Sequence, residues 1–138
     1  LDELSIPAIR RWLATHPEQI QQLLHYNPRY IFFSWGTGKH PKGSTGVELT
    51  PGRSIATDRG TLPGESIAYL MTQKPVINGQ GKVTDWLRRF VLPQDSGAAI
   101  EGSGRVDIFW GSGTYAQSAA GAMHEQGRLF FLLLKDSF

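Results

Sequence analysis

A chain of 138 residues, 40% hydrophobic and 19% charged, has room for one compact domain and the profile of a globular protein, which excludes a disordered segment or two ordinary domains. Its formal charge of +2 comes without any run of Lys or Arg, so the basic stripe of a nucleic-acid binder is missing and no nucleic-acid partner is expected. With no cysteine, and with His16, His25, His40 and His124 scattered, disulfides and thiolate metal sites are excluded and neither a metal nor another cofactor is expected.

Ser5 is placed to cap a first helix, with Pro7 in its opening turn and Ile6, Ile9 and Leu13 along one face. Thr15 and Glu18 have capping-box spacing and predict a second helix with Ile20, Leu23 and Leu24 on its buried side, ended by Asn27 and Pro28. From Tyr30 the period changes. Short aromatic and β-branched runs predict strands at 30–35, 53–57, 66–71, 87–92, 106–110 and 128–134, with loops at 36–45 and 74–82, the second carrying Asn78-Gly79 as a hairpin tip. Thr114 and Gln117 repeat the capping-box spacing ahead of an Ala-rich helix that Gly127 can terminate. Sixteen Gly and eight Pro spread along the chain agree with many short elements joined by turns. The sum is mainly β: a helical prologue, six strands and a late helix, as a small closed barrel without exposed edges or as a sandwich. The apolar run at 129–134 is too short to cross a bilayer.

Asp107 stands in Arg-Val-Asp-Ile-Phe-Trp-Gly at 105–111, which otherwise reads as a buried strand. Two readings are open. Burial among Ile108, Phe109 and Trp110 favours the protonated carboxyl that a general acid needs; alternatively, Asp107 points outward and pairs with Arg105 on the same strand face. Asp95 and Asp58 each end a strand and are turn formers first, with Asp95 also placed to orient an acid or a sugar hydroxyl. Trp35, Tyr69, Phe109, Trp110 and Tyr115 are either core or a stacking floor for sugars. Glycines 102, 104, 111 and 113 match no phosphate loop.

Four runs carry more. They are Asn-Pro-Arg-Tyr-Ile-Phe-Phe at 27–33, Leu-Thr-Pro-Gly-Arg-Ser-Ile-Ala-Thr-Asp at 49–58, Gln-Asp-Ser-Gly-Ala-Ala-Ile-Glu-Gly at 94–102 and the run at 105–111. In this order, with Gly-Arg-Leu-Phe-Phe-Leu-Leu-Leu at 127–134, the chain resembles the membrane-bound lytic transglycosylase A (MltA) family, and Asp58, Asp95 and Asp107 fall on the aspartates of its three-aspartate (3D) domain.

The resemblance implies a six-stranded double-psi β-barrel over residues 27–138, with residues 1–26 as the helical tail of an upstream or inserted domain that completes the substrate groove. It implies a lytic transglycosylase that cuts the β-1,4 bond between N-acetylmuramic acid and N-acetylglucosamine in peptidoglycan glycan strands and leaves 1,6-anhydromuramic ends. Asp107 would act as acid and then base, with Asp95 and Asp58 in support. Arg53, Ser96, Gly97, Arg105, Phe109, Trp110 and Gly111 would bind substrate. The family's location is the periplasm, attached to the outer membrane. This chain shows no signal or anchor and starts with Leu1, so it is expected to be a fragment or a processed product. Ala98 and Glu101 replace the family's usual Gly and Lys after Asp95, and Gly64-Glu65-Ser66 is shorter and more polar than the usual turn; both bear on substrate contacts rather than on Asp107. The alternative is a non-catalytic peptidoglycan-binding barrel, since a fold hosts many functions.

Overall fold

A computed structural model describes residues 6–64, 66–77 and 82–135, so the expected Ser5 cap, Glu65 and the Asn78-Gly79 tip lie outside the described residues. The chain divides into two compact units, one ending at Trp35 and the other starting at Gly36.

The first unit holds α1 (Ile6–Thr15), a single 3-10 turn (Pro17–Gln19) and α2 (Ile20–His25). Thr15 closes α1 instead of opening α2. Its hydroxyl donates back to the carbonyls of Trp12 at 2.9 Å and Arg11 at 3.3 Å, the local bond by which a Thr competes with onward helix. The His16 ring stacks on Trp12 at 4.4 Å, and the residue before α2, Gln19, makes no side-chain cap. The expected buried side of α2 is also corrected, because Leu23 and Leu24 are 45% and 58% exposed. Asn27 accepts the Arg29 amide through its side chain, and the chain leaves the helix there. The run 30–35 forms no strand. It has the strand composition, but among the described residues no second segment pairs with it, and a strand exists only through its ladder.

In the second unit, β1 (Ser54–Ala56), β2 (Ala68–Ile77), β3 (Lys82–Asp95), β4 (Asp107–Ile108) and β5 (Gly127–Phe131) form one mixed sheet in the order β4-β1-β3-β2-β5. Among the described residues there are five strands where six were expected, and the edge strands β4 and β5 do not pair, so this sheet is open. The loop expected at 74–82 is mostly strand. Ten antiparallel pairs run from Ala68↔Val91 to Ile77↔Lys82, because the facing strand supplies a ladder that the local turn signals could not reveal. β1 runs parallel to β3 and antiparallel to β4.

Inward positions of β2 and β3 alternate as a one-sided sheet requires. Ile55, Ala68, Leu70, Leu87 and Val91 are buried, with Val106, Ile108, Trp110, Leu129 and Phe131 packed against them. The late helix α3 (Thr114–Ala122) covers this core through Ala116 and Ala119. Its cap position is Gly113, at φ 91° and without a side-chain cap, so Thr114 is the first helical residue and not the cap. Gly127 opens β5 instead of ending α3. Among the described residues, no helix is long and apolar enough to cross a membrane.

Candidate functional site

The site forms around the last residue of β1. The β1–β3 register reads Ser54↔Leu92, Ile55↔Pro93, then Ala56↔Asp95, passing over Gln94. Pro93 has no N–H to donate to a ladder, and the extra residue is a bulge that re-aims the side chain after it. On the other side of β1, Ala56 faces Asp107. Asp95 and Asp107 thus flank the same residue from neighbouring strands, their Cα atoms roughly 10 Å apart at the usual strand spacing. Both line a cavity of about 300 Å³ with Ser96, Gly97, Ile100 and Phe109.

Asp95 is held by backbone from two directions. One carboxylate oxygen accepts the amides of Ser44 at 2.9 Å and Ser96 at 2.8 Å, and the two serine hydroxyls meet at 3.0 Å. Thr45 donates through both its amide and its hydroxyl to the Gln94 carbonyl. The segment carrying these residues is a turn closed by the Lys42↔Glu48 bridge. Sequence reasoning missed Ser44 and Thr45, since nothing local in a Gly/Lys/Pro/Ser loop marks residues that meet a strand end some 50 positions later. It also missed His40, whose ring meets Phe109 edge-on at 5.9 Å.

Asp107 takes the second of its two expected environments. Arg105 Nε and Nη2 donate to its two carboxylate oxygens, each at 3.1 Å, while Nη1 donates to the Ala99 carbonyl at 2.7 Å. The side chains are 50% and 48% exposed, so the apolar cage around the acid is corrected. The reason is geometric: β4 is a two-residue edge strand, successive side chains alternate faces, and Ile108 takes the inward one. The hydrogen bonds to Asp107 raise the Arg105 guanidinium above its ordinary value.

Asp58 follows β1. It accepts the Gly60 amide at 2.8 Å, the Thr61 hydroxyl at 2.9 Å and the Gly102 amide at 2.7 Å. These bonds, Gly102 foremost, hold its carboxyl below the usual carboxylate value, because each favours the charged form. A folded-state value below the unfolded one, about 3.9, gives stability that is present above the unfolded value and lost as pH falls through the folded one. Asp58→Asn should therefore lower the melting temperature near neutrality, with the gap from the unmodified chain closing in acid. Melting curves from pH 7 to pH 2 read this directly, and a gap that stays constant with pH would contradict it.

The remaining expected site residues separate. Ser96, Gly97 and Phe109 sit at the carboxylate cavity. Phe109, Trp110 and Gly111 line a second cavity of about 530 Å³ beside the start of α3, where Trp110 meets Tyr115 edge-on at 6.4 Å. Arg53 lines neither cavity; it precedes β1 and donates to the Phe90 carbonyl. Tyr69 pairs with Phe90 on β2 and β3, and Trp35 belongs to the other unit. Of the five aromatics considered for a sugar floor, Phe109, Trp110 and Tyr115 come together. Among the described residues, no group of three His, Asp or Glu side chains could hold a metal ion.

Two family models match the chain: the 3D domain over residues 53–133 and the MltA specific insert domain over residues 1–34. The membrane-bound lytic murein transglycosylase A of Escherichia coli K12 is 32% identical over 133 residues, 95% of this chain and 36% of that protein. Its Vibrio cholerae counterpart is 31% identical over 138 residues, 99% of this chain and 37% of that protein. Among solved structures, E. coli MltA with bound chitohexaose superposes with a TM-score of 0.77 at 31% identity, covering 93% of this chain and 38% of that one. The membrane-bound lytic murein transglycosylase of Agrobacterium tumefaciens gives 0.75 at 34% identity, covering 96% and 36%. The chain thus spans between 36% and 38% of the length of these relatives.

Proposed function

The chain belongs to the 3D domain family in its MltA form, and from that membership we propose that it carries the catalytic face of a peptidoglycan lytic transglycosylase. The observation that carries this reading is the placement of Asp95 and Asp107 on either side of Ala56, both lining one cavity.

In the proposed reaction, Asp107 protonates the oxygen of the β-1,4 bond between N-acetylmuramic acid and N-acetylglucosamine. As carboxylate, it then takes the proton from the muramic C6 hydroxyl, whose oxygen closes on C1. The product is a 1,6-anhydro end. No water attacks, so one acid–base residue suffices where a hydrolase uses a pair of carboxylates. Asp95, fixed by the Ser44 and Ser96 amides, is a stationary negative neighbour in the cleft. Asp58 fastens the loop before Asp107 through Gly102. Ser96, Gly97, Phe109, Trp110 and Gly111 are the substrate wall within this chain. The glycan groove and a double-psi barrel would be completed by polypeptide that the relatives possess beyond the matched part. The relatives' names place them at a membrane, and we assign the site to the periplasmic side of the outer membrane.

One observation favours a second reading, a glycan-binding module without cleavage: Arg105 occupies both oxygens of Asp107, the arrangement of a structural ion pair. Digestion of murein in heavy-oxygen water, by this chain and by any longer protein that carries it, separates the possibilities. Unlabelled anhydro ends in the mass spectrum are the expected result. Labelled reducing ends would mean hydrolysis, and retention on murein without cutting would leave the binding module.

A further inference from the structure

Arg105 is fully engaged although half its side chain is exposed: two nitrogens hold Asp107 and the third holds the Ala99 carbonyl. On the transglycosylase reading, on which this inference rests, Asp107 can present an oxygen to the glycosidic bond only after this fork has opened. A guanidinium leaves a bidentate carboxylate most readily for another carboxylate, the acceptor that its planar fork matches. Among the described residues, Asp107 is the one carboxylate that acts on Arg105, so a second one has to come with the substrate.

The glycan has one substituent of that chemistry. Muramyl units differ from N-acetylglucosamine by a 3-O-lactyl group, which ends in a carboxylate where no peptide is attached, whereas the N-acetyl carbonyl common to both sugars is uncharged. We infer that Arg105 is a specificity-determining residue: its guanidinium moves from Asp107 to the lactyl carboxylate of a muramyl unit, so that the unit which supplies the attacking C6 hydroxyl also frees the acid. The Ala99 carbonyl keeps the arginine tethered beside Asp107 while it moves. A chitin-type strand has no lactyl group and leaves the fork closed.

The experiment is a nuclear magnetic resonance titration of this chain with two sulfur-linked, uncleavable oligomers: a tetrasaccharide alternating N-acetylglucosamine with muramic acid bearing free lactyl carboxylates, and a chitotetraose. Both should shift the amides of Ser96, Gly97 and Phe109, which line the cavity. Only the muramyl oligomer should shift the Arg105 Nε–H signal, and it should half-saturate at about a tenfold lower concentration, the scale of one hydrogen bond to a charged group. Arg105→Gln should bind the two oligomers equally, and Arg105→Lys, which has the charge without the fork, should regain only part of the preference. Equal half-saturation in the unmodified chain, an unmoved Arg105 signal, or a preference that survives in Arg105→Gln overturns the inference while the glycan reading of the site stands. If neither oligomer shifts the cavity amides, the glycan reading falls and this inference with it.

Discussion

Asp107→Asn should abolish murein cleavage, with a loss on the order of 10²–10⁴-fold, the contribution of a positioned acid–base group. The amide has nearly the same shape but can neither give the glycosidic oxygen a proton nor take one from the C6 hydroxyl. Because Asp107 lies on a two-residue edge strand with its side chain half-exposed, the change leaves no buried charge and no cavity. The melting temperature should therefore move little. Asp85→Asn is the control: Asp85 is exposed on β3, where it accepts the next amide, that of Trp86, and lines neither cavity, so its loss should leave the rate unchanged. Release of anhydro ends, followed by mass spectrometry for both variants, is the measurement. A cleaving Asp107→Asn protein that keeps its rate would remove the residue assignment.

The second large effect is expected at a residue without a side chain. A Cβ on Gly43 would overlap the Gln94 carbonyl oxygen and approach Leu49 Cδ2 to 2.7 Å. Neither neighbour can yield cheaply. Gln94 is backbone at the bulge that aims Asp95, and Leu49 is only 6% exposed. Gly43 also donates to the Val47 carbonyl and accepts the Gly46 amide, forming a turn in which Gly46 sits at φ 81°. Gly43→Ala should push this turn off the end of β3 and break the Ser44–Asp95 and Thr45–Gln94 bonds. The cost should be about 1–3 kcal/mol, as for other overpacked sites, together with a fall in activity as Asp95 loses its anchor. Gly121→Ala is the matched contrast. Gly121 lies in α3, where an added Cβ would meet open space, so a gain of about 0.5–1 kcal/mol is expected from better helix propensity. Urea unfolding of the two variants decides, and equal stabilities would contradict the close-approach argument.

How much of this was legible beforehand differs from element to element. Residues 54–56, 68–71 and 87–92 carry strand composition in place, and the Ala-rich stretch after Thr114 carries its own helix, so both periods were readable locally. The order of motifs around Asp58, Asp95 and Asp107 was likewise sufficient to indicate a family. Local signals failed where the answer depended on a partner. The Lys74–Ile77 stretch became strand because Lys82–Asp85 lies opposite it, whereas the stronger-looking run at 30–35 found no ladder. Thr15 has the spacing of a cap but spends its hydroxyl on the preceding turn.

The same division runs through the site. Which residues carry carboxylates, and that Arg105 stands two places from Asp107, follows from the sequence alone. Tertiary structure decided that Asp107 is outward and forked, because an edge strand of two residues turns only Ile108 to the core. It also decided that Asp95 comes to stand across β1 from Asp107, because the skipped Gln94 shifts the register by one residue, and a one-residue shift exchanges the faces of a strand. Ser44 reaches Asp95 only because Gly43 lets the turn approach β3 closely. Composition and spacing record what each residue can do; which residues meet is set by pairing and packing between segments far apart in the chain, and no local pattern encodes that.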